Sequence, residues 1–243
     1  MIRILLTILT LTFSLNTQAW TDNIDVVVGL AKPPYIIEEQ GAGFEIDLVS
    51  DVLAMMELTP TFLYVPLGRD AKSLKENVGQ AVLTVNENIV PNQKMRTAPY
   101  IIYQNVAITL KSDEIRIGSI SQLEFFKVAA FQMANQYLGE EYEETVSRSN
   151  QYLEVPNQFR QVKLLVENKV DVLIMDINIF NYYFQLIDGN LNDIEVHYIF
   201  PPNPYSLAFS DTDNVDRFNQ MLERYKKSGR YDELLNKYNL QSQ

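Results

Sequence analysis

The sequence predicts an α/β protein of two lobes that are joined by two crossover strands. Strand-like and helix-like segments alternate along the chain, each half is long enough for a small core, and no linker rich in Gly or Ser separates the halves. The chain instead crosses between the halves as strands, outward near residues 105–114 and back near residues 200–210. One continuous doubly wound domain with a long insertion would give the same alternation. Both architectures place ligands where loops converge at the carboxyl ends of the strands.

The first half follows the order strand, helix, strand. Residues 24–30 form a β-branched run, apolar side chains then recur at helical spacing over residues 49–56, and residues 61–65 are again strand-like. This order is typical of a βαβ unit. A further strand is predicted over residues 81–85.

The second half repeats the alternation, and the chain then returns. Strands are predicted over residues 106–110 and 128–131, and one helix over residues 159–166 then runs into the segment VDVLIMD (170–176). A short strand over residues 206–209 leads back to the first half. Two amphipathic helices follow it, and Gly229 between them ends the first.

The first 19 residues predict export. Arg3 is followed by a mostly apolar stretch over residues 4–15 and then by Ala19, a small residue at the expected cleavage point. The apolar stretch is shorter than the roughly 20 residues that a spanning helix needs. A cleaved signal peptide over residues 1–19 therefore explains it better than a membrane anchor. We expect a periplasmic protein with no membrane insertion after signal removal.

The composition excludes several classes of site and partner. The 243 residues include no cysteine, so disulfides, thiolate metal sites and a lipid-modified N-terminal cysteine are excluded. A formal net charge of −11 argues against nucleic acid and anionic membrane surfaces as partners, because both bind basic patches. The one histidine, His197, lies in an alternating, strand-like stretch where a structural role is favoured. We expect no metal and no cofactor.

Several sequence motifs, taken in order, resemble those of a known family. The chain runs from a strand through Pro-Pro-Tyr and a short loop into Gly-Phe-Glu-Ile-Asp-Leu, which begins a helix. The later motifs are APYIIYQNVAITL (98–110), ISQLEFFKVAAFQMANQYL (120–138), LLVENKVDVLIMDINIFNYYF (164–184) and ERYKKSGRYDELLNKY (223–238). Their order and spacing over residues 24–240 resemble the bacterial extracellular solute-binding proteins of family 3, the periplasmic binding proteins typified by polar amino-acid transport.

The resemblance implies a type II periplasmic binding protein, or Venus flytrap, whose lobes close on a small solute. Lobe 1 would comprise residues 20–110 plus 204–243, and lobe 2 residues 111–203. The protein would be a monomer that hands an amino acid or a related small carboxylate to an inner-membrane ABC permease. Closure over a zwitterion requires hydrogen bonds and opposite charge for each of its charged groups.

The resemblance implies ligand-binding roles for Tyr35 and Asp176. Tyr35 matches the aromatic residue that lines the cleft after the first strand, although it could also pack beneath the proline turn. Asp176 matches a second-lobe aspartate that contacts the amino group of the solute. It could also cap the following helix, since an aspartate can do both. Tyr100, in the Pro-Tyr motif, could add apolar area and a hydroxyl group.

The arginine with which the family grips a solute carboxylate has no counterpart at the matching position, which is Val90. Arg69 and Arg96 are candidates for this anion-binding task, and either could instead be a solvated surface arginine. Thr84 and Asn86 lie near a predicted strand end. Their side chains could bind the solute or cap a turn.

Three other functions would use the same scaffold. A dehydratase-like enzyme would need a paired acid and base, and we interpret Glu38, Glu39 and Glu45 instead as solvated or helix-start carboxylates. A ligand sensor would work through a separate membrane receptor. A clamp that has lost its solute and serves as an interaction protein would explain the missing arginine. We expect a solute-binding protein that is not an enzyme, and we assign no catalytic residue.

Overall fold

The computed structural model describes residues 22–66, 69–74 and 76–240. The predicted signal peptide, residues 1–19, lies outside the described residues. Within the described ranges, no helix is both long enough and apolar enough to span a bilayer.

The first lobe is built on a five-stranded sheet. Its strands are β1 (Asp22–Val28), β2 (Leu58–Tyr64), β3 (Ala81–Val85), β4 (Ile101–Tyr103) and β10 (Asn203–Phe209). They lie in the order β2-β1-β3-β10-β4, with β1 parallel to β2 and β3, and β10 antiparallel to β3 and β4. All five residues of the central strand β3 are buried, as is typical of a strand covered on both faces.

The second lobe is built on another five-stranded sheet. Its strands are β5 (Asn105–Leu110), β6 (Val128–Phe131), β7 (Tyr152–Val155), β8 (Val172–Asp176) and β9 (Ile194–His197). They lie in the order β7-β6-β8-β5-β9, with β6 parallel to β7 and β8, and β5 antiparallel to β8 and β9. His197 is buried at the end of β9, and its Nε2 lies 3.1 Å from Thr109 Oγ1.

Helices cover the sheets, as the sequence pattern predicts. They are α1 (Phe44–Ala54), α2 (Asp70–Ser73), α3 (Ala134–Tyr137), α4 (Glu140–Ser147), α5 (Gln158–Val166), α6 (Ile177–Gln185), α7 (Thr212–Lys227) and α8 (Arg230–Lys237). The two closing helices pack on α1, where Tyr225 and Tyr238 donate hydrogen bonds to Asp51 at 2.8 Å and Asp47 at 2.6 Å. Gly229 adopts a φ of +83° between α7 and α8, which is the helix stop predicted there.

The chain crosses between the lobes twice, as predicted. β4 ends at Tyr103 in the first sheet and β5 begins at Asn105 in the second, so Gln104 lies at the crossing. The side chain of Gln104 donates a 2.9 Å hydrogen bond to the carbonyl of Phe200, which joins this crossing to the returning one. The predicted lobe boundary after residue 110 would leave β5 in lobe 1, whereas β5 pairs with β8 and β9. The two-lobed α/β architecture is confirmed.

The Pro-Pro-Tyr loop is fastened directly to the start of α1. The first amide groups of a helix have no partner inside the helix. Here the amides of Phe44 and Glu45 donate 3.0 Å hydrogen bonds to the carbonyls of Pro34 and Tyr35. Gly43 precedes the helix with a φ of +129°, and a Cβ atom on it would lie 2.3 Å from the Tyr35 carbonyl oxygen. Glycine is therefore required for this close approach.

We expect Gly43→Ala to lower the free energy of unfolding by about 2 kcal/mol, because the methyl group collides with backbone and φ is unfavourable. Urea denaturation measures the loss. Gly41→Ala is the matched control, since Gly41 also has a positive φ but a Cβ atom there would meet nothing within 4 Å. A Gly43→Ala protein no less stable than Gly41→Ala would contradict this account of the loop.

Candidate ligand-binding site

A cavity of about 130 Å³ lies between the two lobes, where the carboxyl ends of several strands converge. Both lobes and the crossing strands contribute to its walls. The apolar part of the wall consists of Leu30, Ile89, Phe131, Leu138, Pro156 and Ile179. The amide side chains are those of Asn105, Gln132, Gln158 and Asn203. Among the described lining residues, only Lys32 and Asp176 are ionisable apart from tyrosines.

Asp176 lies in the cavity wall and also caps a helix, so the capping interpretation applies, and contact with the amino group of a solute stays a prediction. It is the last residue of β8, and its Oδ1 accepts hydrogen bonds from the amides of Asn178 at 2.9 Å and Ile179 at 3.1 Å, in the first turn of α6. Its Oδ2 accepts a 2.8 Å hydrogen bond from the amide of Gln104, at the lobe crossing. The carboxyl group therefore connects the helix start to the crossing.

The pKa of Asp176 is raised to about 6, because burial disfavours the charged form. Hydrogen bonds from Ile179, Gln104 and Tyr35 oppose this shift but do not cancel it. The carboxyl group is thus charged at neutral pH and becomes protonated in mild acid. Its charge therefore changes within the pH range in which stability can be measured.

Tyr35 is fully buried and does not itself line the cavity, but it contacts residues that do. Its hydroxyl donates a 3.1 Å hydrogen bond to Asp176 Oδ1 in the other lobe and accepts a 2.8 Å hydrogen bond from Asn178 Nδ2. Its ring stacks on Tyr103 with 4.0 Å between ring centroids, and Tyr103 does line the cavity. Tyr35 and Asp176 therefore meet across the lobes, and direct contact of Tyr35 with a solute stays a prediction.

A buried carboxyl group lies under the first-lobe side of the cavity. Glu45, in the first turn of α1, is fully buried and accepts hydrogen bonds from the hydroxyls of Tyr100 and Tyr103. Thr84 Oγ1 donates a third, at 2.7 Å. Burial, followed by the nearby charge of Glu45, raises the pKa of both tyrosines well above the usual value, so they remain donors. Glu45 is thus a helix-start carboxyl group, as predicted, but it is not solvated.

Thr84 and Asn86 support the cavity from the first lobe. Thr84 lines it and adopts a φ of +55°, which is unusual for a β-branched residue and is held by its bond to Glu45. Asn86 caps a turn, because its Oδ1 accepts hydrogen bonds from the amides of Asn88 and Ile89. Its Nδ2 donates a 3.1 Å hydrogen bond to Asn203, which lines the cavity. The turn-capping alternative thus applies to Asn86.

The two candidate arginines and Tyr100 lie outside the described cavity wall. Arg69 is exposed just before α2. The backbone of Arg96 forms an isolated antiparallel β-bridge with Ala208. Arg96 and Asp213 border a separate surface depression. Tyr100 is buried with its hydroxyl directed to Glu45. An anion-binding role for either arginine stays a prediction that the position of the cavity does not support.

The cation that does line the cavity is Lys32, which the sequence reasoning missed. Its Nζ lies 5.6 Å from the centroid of the Tyr103 ring, within range of a cation–π interaction. The backbone of Lys32 is held in a tight loop by two hydrogen bonds with Ile36, at 3.0 and 3.1 Å. The available signal was its position in the loop after β1, immediately before two prolines. A single lysine in such a position does not by itself indicate a binding site, because lysines are common on protein surfaces.

Metal ligands are not clustered in the described part of the chain. No group of three or more His, Cys, Asp or Glu side chains is arranged there so that it could hold a metal ion.

Comparisons with known proteins agree with this architecture. The sequence profile of the bacterial extracellular solute-binding proteins, family 3, matches residues 24–241. No curated protein matches the chain. An ABC uptake transporter substrate-binding protein from Streptococcus pneumoniae with bound histidine is similar in structure, with a TM-score of 0.72 and 17% identity over 89% of this chain and 92% of that chain.

Two further solved structures have the same fold. An ancestral arginine-binding protein bound to arginine gives a TM-score of 0.71 and 19% identity, over 89% of this chain and 97% of that one. The ancestral amino acid-binding protein AncCDT-1, a precursor of cyclohexadienyl dehydratase, gives a TM-score of 0.67 and 21% identity, over 89% of this chain and 95% of that one. At these identities the likeness concerns the fold, which is that of the two-lobed periplasmic binding proteins.

The family profile covers nearly all of the described chain, from the first strand to the end of the last helix. The predicted family is therefore confirmed, and it supports a ligand-binding role for the protein. This chain belongs to the bacterial extracellular solute-binding proteins, family 3.

Proposed function

We propose that the protein captures a small polar solute, an amino acid or a related carboxylate, in the cavity between its lobes. The observation that carries this proposal is the cavity itself, because its walls come from both lobes and from the crossing strands. A solute that touches both walls does so only when the lobes are closed. Binding would then shift the population toward the closed form by a hinge motion at the crossings.

The size of the cavity limits the solute. Its volume of about 130 Å³ is well below the roughly 300–1,000 Å³ of pockets that hold drug-sized ligands. A single amino acid or a short organic acid is therefore a better candidate than a peptide.

The setting we propose is the periplasm, after cleavage of residues 1–19, with the protein as a monomer. Its partner would be an inner-membrane ABC permease that accepts the solute from the closed form. Family membership supports this partnership, and delivery to a membrane receptor would use the same clamp.

A thermal-shift screen against amino acids and small organic acids tests solute binding. A solute that binds only the folded protein stabilises it by about 2.7 kcal/mol at one hundred times its Kd. For a chain of this size we expect the melting temperature to rise by about 5–10 °C.

Leu138→Trp tests the position of the site, because Leu138 lines the cavity and a larger side chain would fill it. We expect this variant to lose the shift. Leu191→Trp, at an exposed position outside the cavity wall, is the matched control and should keep the shift. No shift with any solute, or an equal shift in both variants, would contradict the proposal.

An enzyme on the same scaffold is the second candidate, and Asp176 is the observation that favours it. A carboxyl group in a cavity wall with a pKa of about 6 is suited to general acid chemistry. Its hydrogen bonds argue for a structural role instead, since Oδ1 accepts from Tyr35, Asn178 and Ile179 and Oδ2 accepts from the Gln104 amide. Incubation of the protein with any solute that binds, followed by product analysis, separates the two functions. Conversion of the solute would favour the enzyme.

A further inference from the structure

The aromatic side chain that was expected to line the cavity is covered by another one. The family resemblance implies that Tyr35 lines the cleft, but Tyr35 is fully buried and is not among the described lining residues. The ring of Tyr103 stacks on it, with 4.0 Å between the ring centroids and an angle of 18° between the ring planes. Tyr103 does line the cavity. Its ring therefore lies between Tyr35 and the space that a solute would enter.

The Tyr103 side chain is held by its hydroxyl group and by two neighbouring rings. The hydroxyl donates a hydrogen bond to the fully buried carboxyl group of Glu45. The ring stacks on Tyr35, and the ring of Tyr205 meets it at 64° with 4.8 Å between the centroids. To turn away from the cavity, the side chain would have to break the hydrogen bond and the stacking contact together, which is costly inside a protein. Tyr103 is thus a rigid part of the wall.

The volume of the Tyr103 ring limits the space for a solute. The cavity holds about 130 Å³ with the ring in place. Truncation of a buried aromatic side chain leaves a cavity, and engineered apolar cavities of about 150 Å³ bind benzene. A cavity left by Tyr103 would be bounded by the Tyr35 ring and by the Glu45 carboxyl group. Because protein interiors are densely packed, a second ring cannot enter while the first one stays.

We propose that Tyr103 determines the solute specificity of the cavity by size, so that short aliphatic solutes enter and solutes with an aromatic ring are excluded. This inference rests on the proposed function and narrows its solute class. It does not depend on which groups bind the charged ends of the solute.

Matched pairs of compounds test the size limit by isothermal titration calorimetry. One pair is L-valine and L-phenylalanine, and the other is 3-methylbutanoate and 3-phenylpropanoate. The members of a pair carry the same charged groups and differ in the bulk of the apolar part. In a pair that binds to the wild type, we expect the aliphatic member to bind at least about tenfold more tightly, because an additional ring overpacks the cavity.

Truncation of Tyr103 should admit the aromatic compounds. We expect Tyr103→Ala to bind the aromatic member of the pair at least about tenfold more tightly than the wild type does. Tyr225→Ala is the matched control, since Tyr225 is also buried and donates a 2.8 Å hydrogen bond to a carboxylate, that of Asp51, but does not line the cavity. Its preference within each pair should be that of the wild type. Circular dichroism checks folding, and Tyr103→Val, which also removes the ring, replaces Tyr103→Ala if the latter is unfolded.

Phenol tests the space without any natural solute. In Tyr103→Ala it would replace the missing side chain, stack on Tyr35 and donate a hydrogen bond to Glu45. We expect phenol at ten times its Kd to raise the melting temperature of this variant by about 3–5 °C. The wild type and Tyr103→Phe should show no rise, because a ring still fills the space in both.

The failures of the inference and of the proposed function are distinguishable. An aromatic compound that binds the wild type as tightly as its aliphatic partner overturns the inference and leaves solute binding intact. A folded Tyr103→Ala protein that gains no affinity for the aromatic compounds, or that phenol does not stabilise, also overturns it. If Tyr103→Ala shows both gains but no solute binds the wild type, the proposed function is wrong and the size limit set by Tyr103 stands.

Discussion

Glu45→Ala should lower the free energy of unfolding by about 4 kcal/mol, the largest effect we expect from a single substitution in this chain. The carboxyl group of Glu45 is the acceptor for the hydroxyls of Tyr100, Tyr103 and Thr84, and all four side chains are buried. Each buried hydroxyl left without a partner costs about 1–3 kcal/mol. Urea denaturation followed by circular dichroism measures the total.

Two further variants show that the loss comes from the buried network. Glu45→Gln keeps the shape and one acceptor oxygen, so its loss should be smaller than that of Glu45→Ala. Glu39→Ala, at an exposed position in the preceding loop, should change stability by no more than about 0.5 kcal/mol. A Glu45→Ala protein within about 1 kcal/mol of wild type would mean that the three hydroxyls find other partners.

The second large effect is the dependence of stability on pH through Asp176. Its pKa is raised from 3.8 to about 6 because burial disfavours the charge. Between these two values the folded protein binds more protons than the unfolded chain does. The contribution of this group to stability is therefore fully present below about pH 4 and is lost as the pH rises through about 6.

Comparison with Asp176→Asn isolates this contribution, because asparagine does not titrate. The free energy of unfolding of the wild type, minus that of the variant, should fall by about 2 kcal/mol between pH 4 and pH 7. An asparagine that places its NH2 group opposite the Gln104 amide destabilises the variant equally at every pH. This constant loss of stability cancels when only the change with pH is compared. A difference that is independent of pH, or that increases with pH, would contradict the burial argument.

The regular elements were predictable wherever the pattern was strong. β3 (Ala81–Val85) and β6 (Val128–Phe131) were predicted to the residue, because each is a short apolar run with polar neighbours. The closing helices were predicted from their amphipathic period and from Gly229. β7 (Tyr152–Val155) was not predicted, since it is a short strand at the edge of its sheet with no regular alternation.

The cavity was harder to predict than the fold. Asp176 is the last residue of β8 and Thr84 the last but one of β3, so both reach the cavity wall from the carboxyl end of a strand. The importance of Lys32 depends on the loop that places it over Tyr103, and this loop has no periodic pattern. The burial of Glu45 depends on three hydroxyls from distant strands, whereas an acidic residue in a first helical turn is ordinarily explained by the helix dipole. Contacts between distant segments decide both cases.

The most direct test of a solute held between the lobes is a methyl NMR titration of protein labelled at isoleucine. Ile89 and Ile179 lie in opposite walls of the cavity, while Ile24 and Ile194 lie in the two lobes away from it. We expect added solute to shift the resonances of Ile89 and Ile179 together, with a single Kd, and to leave those of Ile24 and Ile194 nearly unchanged. A bound solute that shifts neither Ile89 nor Ile179 would contradict the account, because it would lie outside the interlobe cavity.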